Sequence, residues 1–384
     1  MRRNLNNRFR AAFLLPVILA ALANGTSCTK KLVNDPIADS IYLGSLPFVI
    51  NNNSTFSGFY ATLQSTGWLD TLYGKGPYTV ILPNDDAYLG YANGAPGNFG
   101  TYEVAEMRNG LTLFNAVGYD IIKGLISLRS LPLGENQTLT SITGRTHYVT
   151  RYISAPGDTV TAVDGQIVIS TDNPATNGLI QVVAGAVPYP DLFPTVLQQI
   201  QSDTALTYFA AALQVTHLDT LLEGSNPYTV LAPVNETFEG ISYWAPNGIP
   251  GLHLYSLDSV LAADPVKLRQ FMEYYILPGR YYLNDFMRQL KSATDTLPLT
   301  MLSGEVVKFT MNPYPYGTLP FMAEAPGAGT LQPVFYGNGN VPTGANPANA
   351  YAESIFTTQS YFENSVDLTA QNGVLHTIQG LLIP

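Results

Sequence analysis

Tyr78-Thr-Val-Ile-Leu-Pro-Asn-Asp-Asp-Ala-Tyr88 returns about 150 residues later as Tyr228-Thr-Val-Leu-Ala-Pro-Val-Asn-Glu-Thr-Phe238. The match extends outward on both sides. Leu63-Gln64, Leu69-Asp-Thr-Leu72 and Pro77-Tyr-Thr-Val80 recur in order as Leu213-Gln214, Leu218-Asp-Thr-Leu221 and Pro227-Tyr-Thr-Val230. The ends repeat as well: Asn177-Gly-Leu-Ile-Gln-Val-Val-Ala-Gly185 matches Asn372-Gly-Val-Leu-His-Thr-Ile-Gln-Gly380. There the spacing is wider, so the second copy holds roughly 45 extra residues. A fixed internal repeat marks repeated structural units. A 384-residue chain also has room for two domains of ordinary size. The expected boundaries are 41–190 and 194–384, with Tyr189-Pro-Asp-Leu-Phe-Pro194 as the linker.

Each copy has the same local pattern. Phe56, Phe59, Tyr60 and Leu63 sit at i, i+3, i+4 and i+7, the stripe of an amphipathic helix, and Phe209 and Leu213 repeat it. Asp70-Thr71 and Asp219-Thr220 are placed to cap a second short helix or turn. Pro77–Leu82 and Pro227–Ala232 are β-rich runs bounded by Gly and Pro, as strands are. Asn84-Asp-Asp86 and Asn235-Glu236 offer an N-cap and an acidic first turn to a following helix. Hairpin pairs follow: Gln137–Thr143 with His147–Ile153, then Gln166–Ser170, and Leu297–Leu302 with Glu305–Met311 around Ser303-Gly304. Each copy closes on Asn-Gly and an aliphatic strand.

The first 28 residues read as an address. Arg2, Arg3, Arg8 and Arg10 precede the apolar run Ala11–Ala23. Thirteen helical residues reach only ~20 Å, short of a ~30 Å hydrocarbon core. A basic head followed by a short apolar run and small residues is a secretion signal. Cys28 comes next and is the only Cys, so no intramolecular disulfide can form. Its position resembles the lipidated cysteine of Bacteroidetes-type exported lipoproteins, although Gly25 stands where an aliphatic residue is usual. Lipidation would fix the chain to a membrane, with residues 29–40 as a tether. The expected location is the cell envelope at the outer membrane, on the surface or periplasmic face. The chain is secreted if Cys28 stays bare.

Composition narrows the partners. Charged residues make up 12%, net charge is −10 and the pI is about 4.8. A phosphate backbone calls for clustered Lys and Arg, so nucleic acid is not an expected partner. The four His (His147, His217, His253 and His376) show no metal-ligand spacing, so neither a metal site nor a cofactor is expected. Gly74-Lys-Gly76 and Gly337-Asn-Gly339 fail the phosphate-loop pattern, and no nucleophile-elbow motif occurs. Asp85-Asp86 reads as a helix start rather than a calcium loop. The chain is therefore expected not to be an enzyme. A hydrolase with an unrecognised site is the alternative.

These motifs resemble the fasciclin domain. Its first motif is matched by Tyr78–Tyr88 and Tyr228–Phe238, and its closing motif by Asn372–Pro384, with a weaker version ending at Pro188. Its central Tyr-His segment is matched by Gly118-Tyr-Asp-Ile-Ile122 and Tyr274-Tyr-Ile-Leu-Pro-Gly279, with Asp120 and Tyr275 where His is usual. The resemblance implies an α+β fold: two tandem domains, each a wedge-like β-sandwich with several helices. It also implies adhesion or ligand binding at the cell surface, to protein or carbohydrate. An accessory role beside an outer-membrane nutrient transporter is a second reading.

The extra residues of the second copy gather at 243–255 and 312–362. Tyr243, Trp244, Tyr314, Tyr316, Phe335, Tyr336 and Tyr351 lie there among Pro, Gly and Asn. Long loops in compact domains tend to be functional. Aromatic faces beside amides suit carbohydrate, so these seven are the candidate ligand-binding residues. The competing reading is that they pack the loop onto its domain.

Overall fold

In each half of the chain, one Asn side chain clamps the closing strand to the start of the fold. Asn177 donates from Nδ2 to the carbonyls of Leu72 and Gly74 at 2.7 and 2.8 Å and accepts the N–H of Leu46 at 2.9 Å. Asn372 does the same with Leu222, Gly224 and Val196, at 2.7, 2.7 and 2.9 Å. The computed structural model describes residues 44–85, 110–154, 157–185, 187, 189–191, 194–239, 249, 251–290, 295–311, 321–324, 332–335, 367–378 and 382. Leu43–Pro384 forms one compact unit.

The first half runs α1 (Leu46–Asn51), α2 (Ser57–Thr66), α3 (Trp68–Leu72), β1 (Tyr78–Pro83), α4 (Gly110–Tyr119), β2 (Ile121–Lys123), β3 (Gly134–Thr140), β4 (Thr146–Ile153), β5 (Thr159–Val163), β6 (Gln166–Ala175) and β7 (Gly178–Val183). Its strands form one sheet in the order β2-β1-β7-β6-β5-β4-β3. A bridge between Ile122 and Ser141 joins the two edges, so the sheet curls toward a barrel. β1 and β7 pair in parallel and are almost wholly buried, as parallel strands covered on both faces are.

The second half runs α5 (Val196–Ser202), α6 (Thr207–Thr216), α7 (Asp219–Leu222), β8 (Tyr228–Pro233), α8 (Asn235–Glu239), α9 (Leu257–Leu261), α10 (Pro265–Met272), β9 (Ile276–Pro278), α11 (Leu283–Gln289), β10 (Thr296–Thr300), β11 (Val306–Met311), β12 (Phe321–Glu324), β13 (Gln332–Phe335), β14 (Leu368–Ala370) and β15 (Gly373–Ile378). Here the described strands form two sheets, β10-β11-β12-β13 and β14-β15-β8-β9. β8 and β15 repeat the parallel pair of the first half. The architecture is α+β, as the resemblance implied.

The apolar stripes become core. Phe56, Phe59 and Leu63 are buried beneath α2, and Phe209 and Leu213 beneath α6. Burying a side chain of this size contributes about 1.5–3 kcal/mol. Two expectations need correction. Asp70 and Asp219 do not cap: Gly67 and Leu218 hold the N-cap positions, and both acids fall within the first helical turn. Asp85 is the first residue of a following helix, as expected, and it also serves the preceding one. Its oxygens accept Ser57 N–H at 3.1 Å, Ser57 Oγ–H at 2.6 Å and Gly58 N–H at 2.8 Å. Asn235 likewise opens α8, with Glu236 in its first turn, and accepts Tyr208 N–H at 3.0 Å. The first strand runs back past the open start of α2 or α6, where unpaired N–H groups attract an acceptor. Finally, Thr159–Val163 is a strand that the hairpin reading lacked.

Candidate functional site

The turn between β5 and β6 is Asp164-Gly165, with φ of +46° and +83°. Two consecutive positive φ values are what a tight two-residue hairpin needs, and Asp-Gly supplies them. This turn is driven into the second domain at Arg280–Asp285. Asn284 donates to the Gly165 carbonyl at 2.5 Å, and Thr150 Oγ donates to Asp285 at 2.8 Å. Asn136 donates to the Arg280 carbonyl at 2.8 Å, and Arg288 pairs with Glu135. The Arg280 guanidinium lies 4.2 Å from the ring centre of Tyr148 and donates to the carbonyls of Ala370, Gln371 and Gly373. A Cβ on Gly165 would come within 2.7 Å of Asp367 Oδ2, so the fit tolerates no side chain.

The seam is rich in buried ionisable groups. His147 and Asp164 are both sealed from solvent, 2.6 Å apart. The other ring nitrogen of His147 faces the Tyr119 carbonyl at 2.7 Å. A carbonyl can only accept, so that nitrogen carries a proton while Nδ1 faces the Asp164 carboxyl. Asp164 also accepts Tyr119 O–H at 2.9 Å and Tyr148 N–H at 2.8 Å. Burial raises the Asp285 carboxyl to about 6 and the Asp367 carboxyl to about 8. Burial also pushes Asp120 well up, with Asp164 adding to the effect. Desolvation favours the neutral acid in each case. His376 is pushed down to about 4 by burial.

Beside the seam a cleft of about 210 Å³ opens between the domains. Arg145, Thr146 and Tyr148 of the first domain line one side, Gln371 of the second lines the other, and Pro190 and Ala370 line it too. Asp191, in the linker, binds both sides: it accepts Arg145 Nε–H at 2.7 Å and Gln371 Nε2–H at 2.5 Å. Tyr189 O–H adds a third bond to Asp191 at 2.8 Å. The linker is therefore a clasp.

The sequence pointed elsewhere. Cys28, Tyr243, Trp244, Tyr314, Tyr316, Tyr336 and Tyr351 lie outside the described residues. Phe335 ends β13, opposite Phe321. Of the His, His147 and His376 are buried and hydrogen-bonded, and His217 ends α6 in a left-handed conformation. Tyr275, where the resemblance expects His, exchanges hydrogen bonds with Leu382 at 2.9 and 3.2 Å. The seam residues went unread in the sequence, although Asp164-Gly165 is itself a hairpin signal. Among the described residues, no group of three or more His, Cys, Asp and Glu could hold a metal ion. None of the described helices is long and apolar enough to cross a membrane.

Comparison with known proteins places these features. The Fasciclin domain family model matches residues 54–187 and 204–318. The transforming growth factor-beta-induced protein ig-h3 of Sus scrofa is 26% identical over 204 residues, 53% of this chain. That of Oryctolagus cuniculus is 25% identical over the same length. In both cases the match spans 26% of the relative's own length. A solved FAS1 domain pair from the insect cell adhesion molecule fasciclin I has a TM-score of 0.35 and 14% identity, covering 86% of this chain and 98% of that one.

Proposed function

The chain belongs to the fasciclin domain family, and on that premise we propose that it is a non-catalytic adhesion or ligand-binding protein of the cell envelope, anchored by lipid at Cys28. The observation that carries the reading is the close packing of its two domains across the seam. Adhesion needs a surface that keeps its shape under load. Here a hairpin turn, an ion pair, a cation–π contact and a linker clasp fix one domain against the other. The acid–base groups of the seam support a non-catalytic role. His147 and His376 are wholly buried, with their ring nitrogens already bonded. A general base must reach substrate directly or through one water.

The ligand in this reading is a surface protein or a carbohydrate, and the aromatic stretches 243–255 and 312–362 are its proposed contacts. The test is retention of the full chain on surfaces coated with envelope glycans or cell-surface protein. Substituting Trp244 and Tyr336 by Ala should lower retention. Retention that is absent with every coating would sink the adhesion reading. Incorporation of a palmitate analogue that persists after Cys28→Ala would sink the anchor.

A further inference from the structure

We propose that the cleft between Arg145 and Gln371 binds a single uncharged sugar ring, held jointly by both domains. The proposal deepens the ligand-binding reading above and rests on it, but it assigns a different site. The walls bring together polar groups whose capacity is only partly used. Gln371 spends its amide N–H on Asp191, which leaves its Oε1 as an acceptor. Arg145 gives Nε–H to the same carboxylate, yet 42% of its side chain remains exposed. A guanidinium donor and an amide acceptor lining one cleft match two neighbouring hydroxyls, one accepting and one donating.

The charge balance selects among ligands. Asp191 already neutralises Arg145 at 2.7 Å, so an anion gains little and a neutral polyol loses nothing. Size narrows the choice further. The cleft holds about 210 Å³, less than the ~300–1,000 Å³ of drug-sized pockets, so it takes one ring rather than a chain. Pro190 and Ala370 add apolar lining that suits the C–H face of such a ring, and Thr146 brings a hydroxyl to the lining. The single linker carboxylate that orients Arg145 and Gln371 also sets the groups in advance, which lowers the ordering cost of binding.

The experiment is saturation-transfer difference NMR on the full chain, titrated with glucose, galactose, mannose and N-acetylglucosamine, with glucuronate as the charged comparison. At least one neutral ring should give a saturable signal, with affinity on the order of 1 mM. Gln371→Ala and Thr146→Phe should each weaken it by about tenfold or more, a loss on the order of one or two hydrogen bonds. Far-UV circular dichroism of both variants should match the parent, which separates loss of binding from loss of fold. A signal from glucuronate alone, or from none of the sugars, overturns the proposal. So does neutral-sugar binding that survives both substitutions. That last result places the sugar elsewhere on the chain and leaves the ligand-binding reading standing. Failure of that reading itself would instead appear as loss of retention on every coated surface.

Discussion

His376 of the second domain does the work that Gln181 does in the first. His376 Nδ1 accepts Asp367 N–H at 3.1 Å and its Nε2 lies 2.9 Å from the Tyr281 carbonyl. Gln181 Oε1 accepts Asp172 N–H at 2.8 Å, and its Nε2 donates to the Ile126 carbonyl at 3.0 Å. Asp172 and Asp367 both sit at left-handed φ, +58° and +57°. The imidazole is thus a neutral amide substitute with its proton on Nε2, consistent with burial pushing its pKa down to about 4. His376→Gln should therefore cost less than about 1 kcal/mol. His376→Leu leaves a buried N–H and C=O unpaired and should cost about 2–4 kcal/mol. Urea unfolding of both variants decides the point, and equal costs would refute the equivalence.

Asp367 makes stability fall as pH rises. Its carboxyl titrates near 8 when folded, against the ordinary Asp value of 3.8 in the unfolded chain, so the folded chain holds an extra proton between those values. Folding is then favoured at the acidic end and weakened toward pH 8. Asp285, raised to about 6, acts with the same sign up to that pH. His376 acts oppositely: its folded value of about 4 lies below 6.5, so it weakens the fold as pH drops from 6.5 to 4. Between pH 6.5 and 8, Asp367 should cost about 1.5 kcal/mol, just under one proton over that span. Asp367→Asn keeps an acceptor for Leu283 N–H, which Asp367 Oδ1 takes at 2.7 Å, and Asn tolerates left-handed φ. The variant should lose that one-proton slope in melts taken across this range. An unchanged slope would assign it to another group.

The repeat made the fold legible before any coordinates. Tyr78–Tyr88 and Tyr228–Phe238 each carry a strand marked by a β-rich apolar run and flanking Pro, both local properties. The junction was illegible for the opposite reason. Gly165 and Asn284 are separated by 119 residues, and nothing near either one announces the other. Asp85 was legible as a helix start, but its bonds back to the start of α2 were not, because packing alone brings them together. Thr159–Val163 carries the alternation Thr-Val-Thr-Ala in its sequence, a short strand signal that the hairpin reading passed over.

Gly165 is the keystone of the seam. It sits at φ +83°, and an added Cβ would approach Asp367 Oδ2 to 2.7 Å and Tyr282 Cδ1 to 3.0 Å. Gly165→Ala combines left-handed strain of about 1–2 kcal/mol with that clash. The strain falls on a two-residue turn, so the turn should withdraw from the second domain before either core unfolds. Limited proteolysis should then cut at Tyr189–Pro194 faster than in the parent, and calorimetry should resolve two transitions. Ala at Gly144, also at positive φ but with nothing within 4 Å, is the control for strain alone. Matching behaviour of the two variants would remove the seam from the explanation.

The two copies of one helix end differ in a way that predicts a gain. α2 ends at Gly67 with φ +81°, whereas α6 ends at His217 with φ +56°. Both N–H groups cap the preceding turn, Gly67 to Gln64 and His217 to Gln214. A left-handed C-cap is where Gly is preferred, because a side chain there meets the backbone. The His217 side chain is exposed, so no core contact offsets that cost. His217→Gly should stabilise the chain by about 0.5–1 kcal/mol after the extra freedom of the unfolded Gly is counted. The shift is a rise of about 1–4 °C in melting temperature for a domain of this size. His217→Ala should give no such gain, since Ala keeps the Cβ, and a melt in which Ala matches Gly would show that the left-handed geometry is not the source.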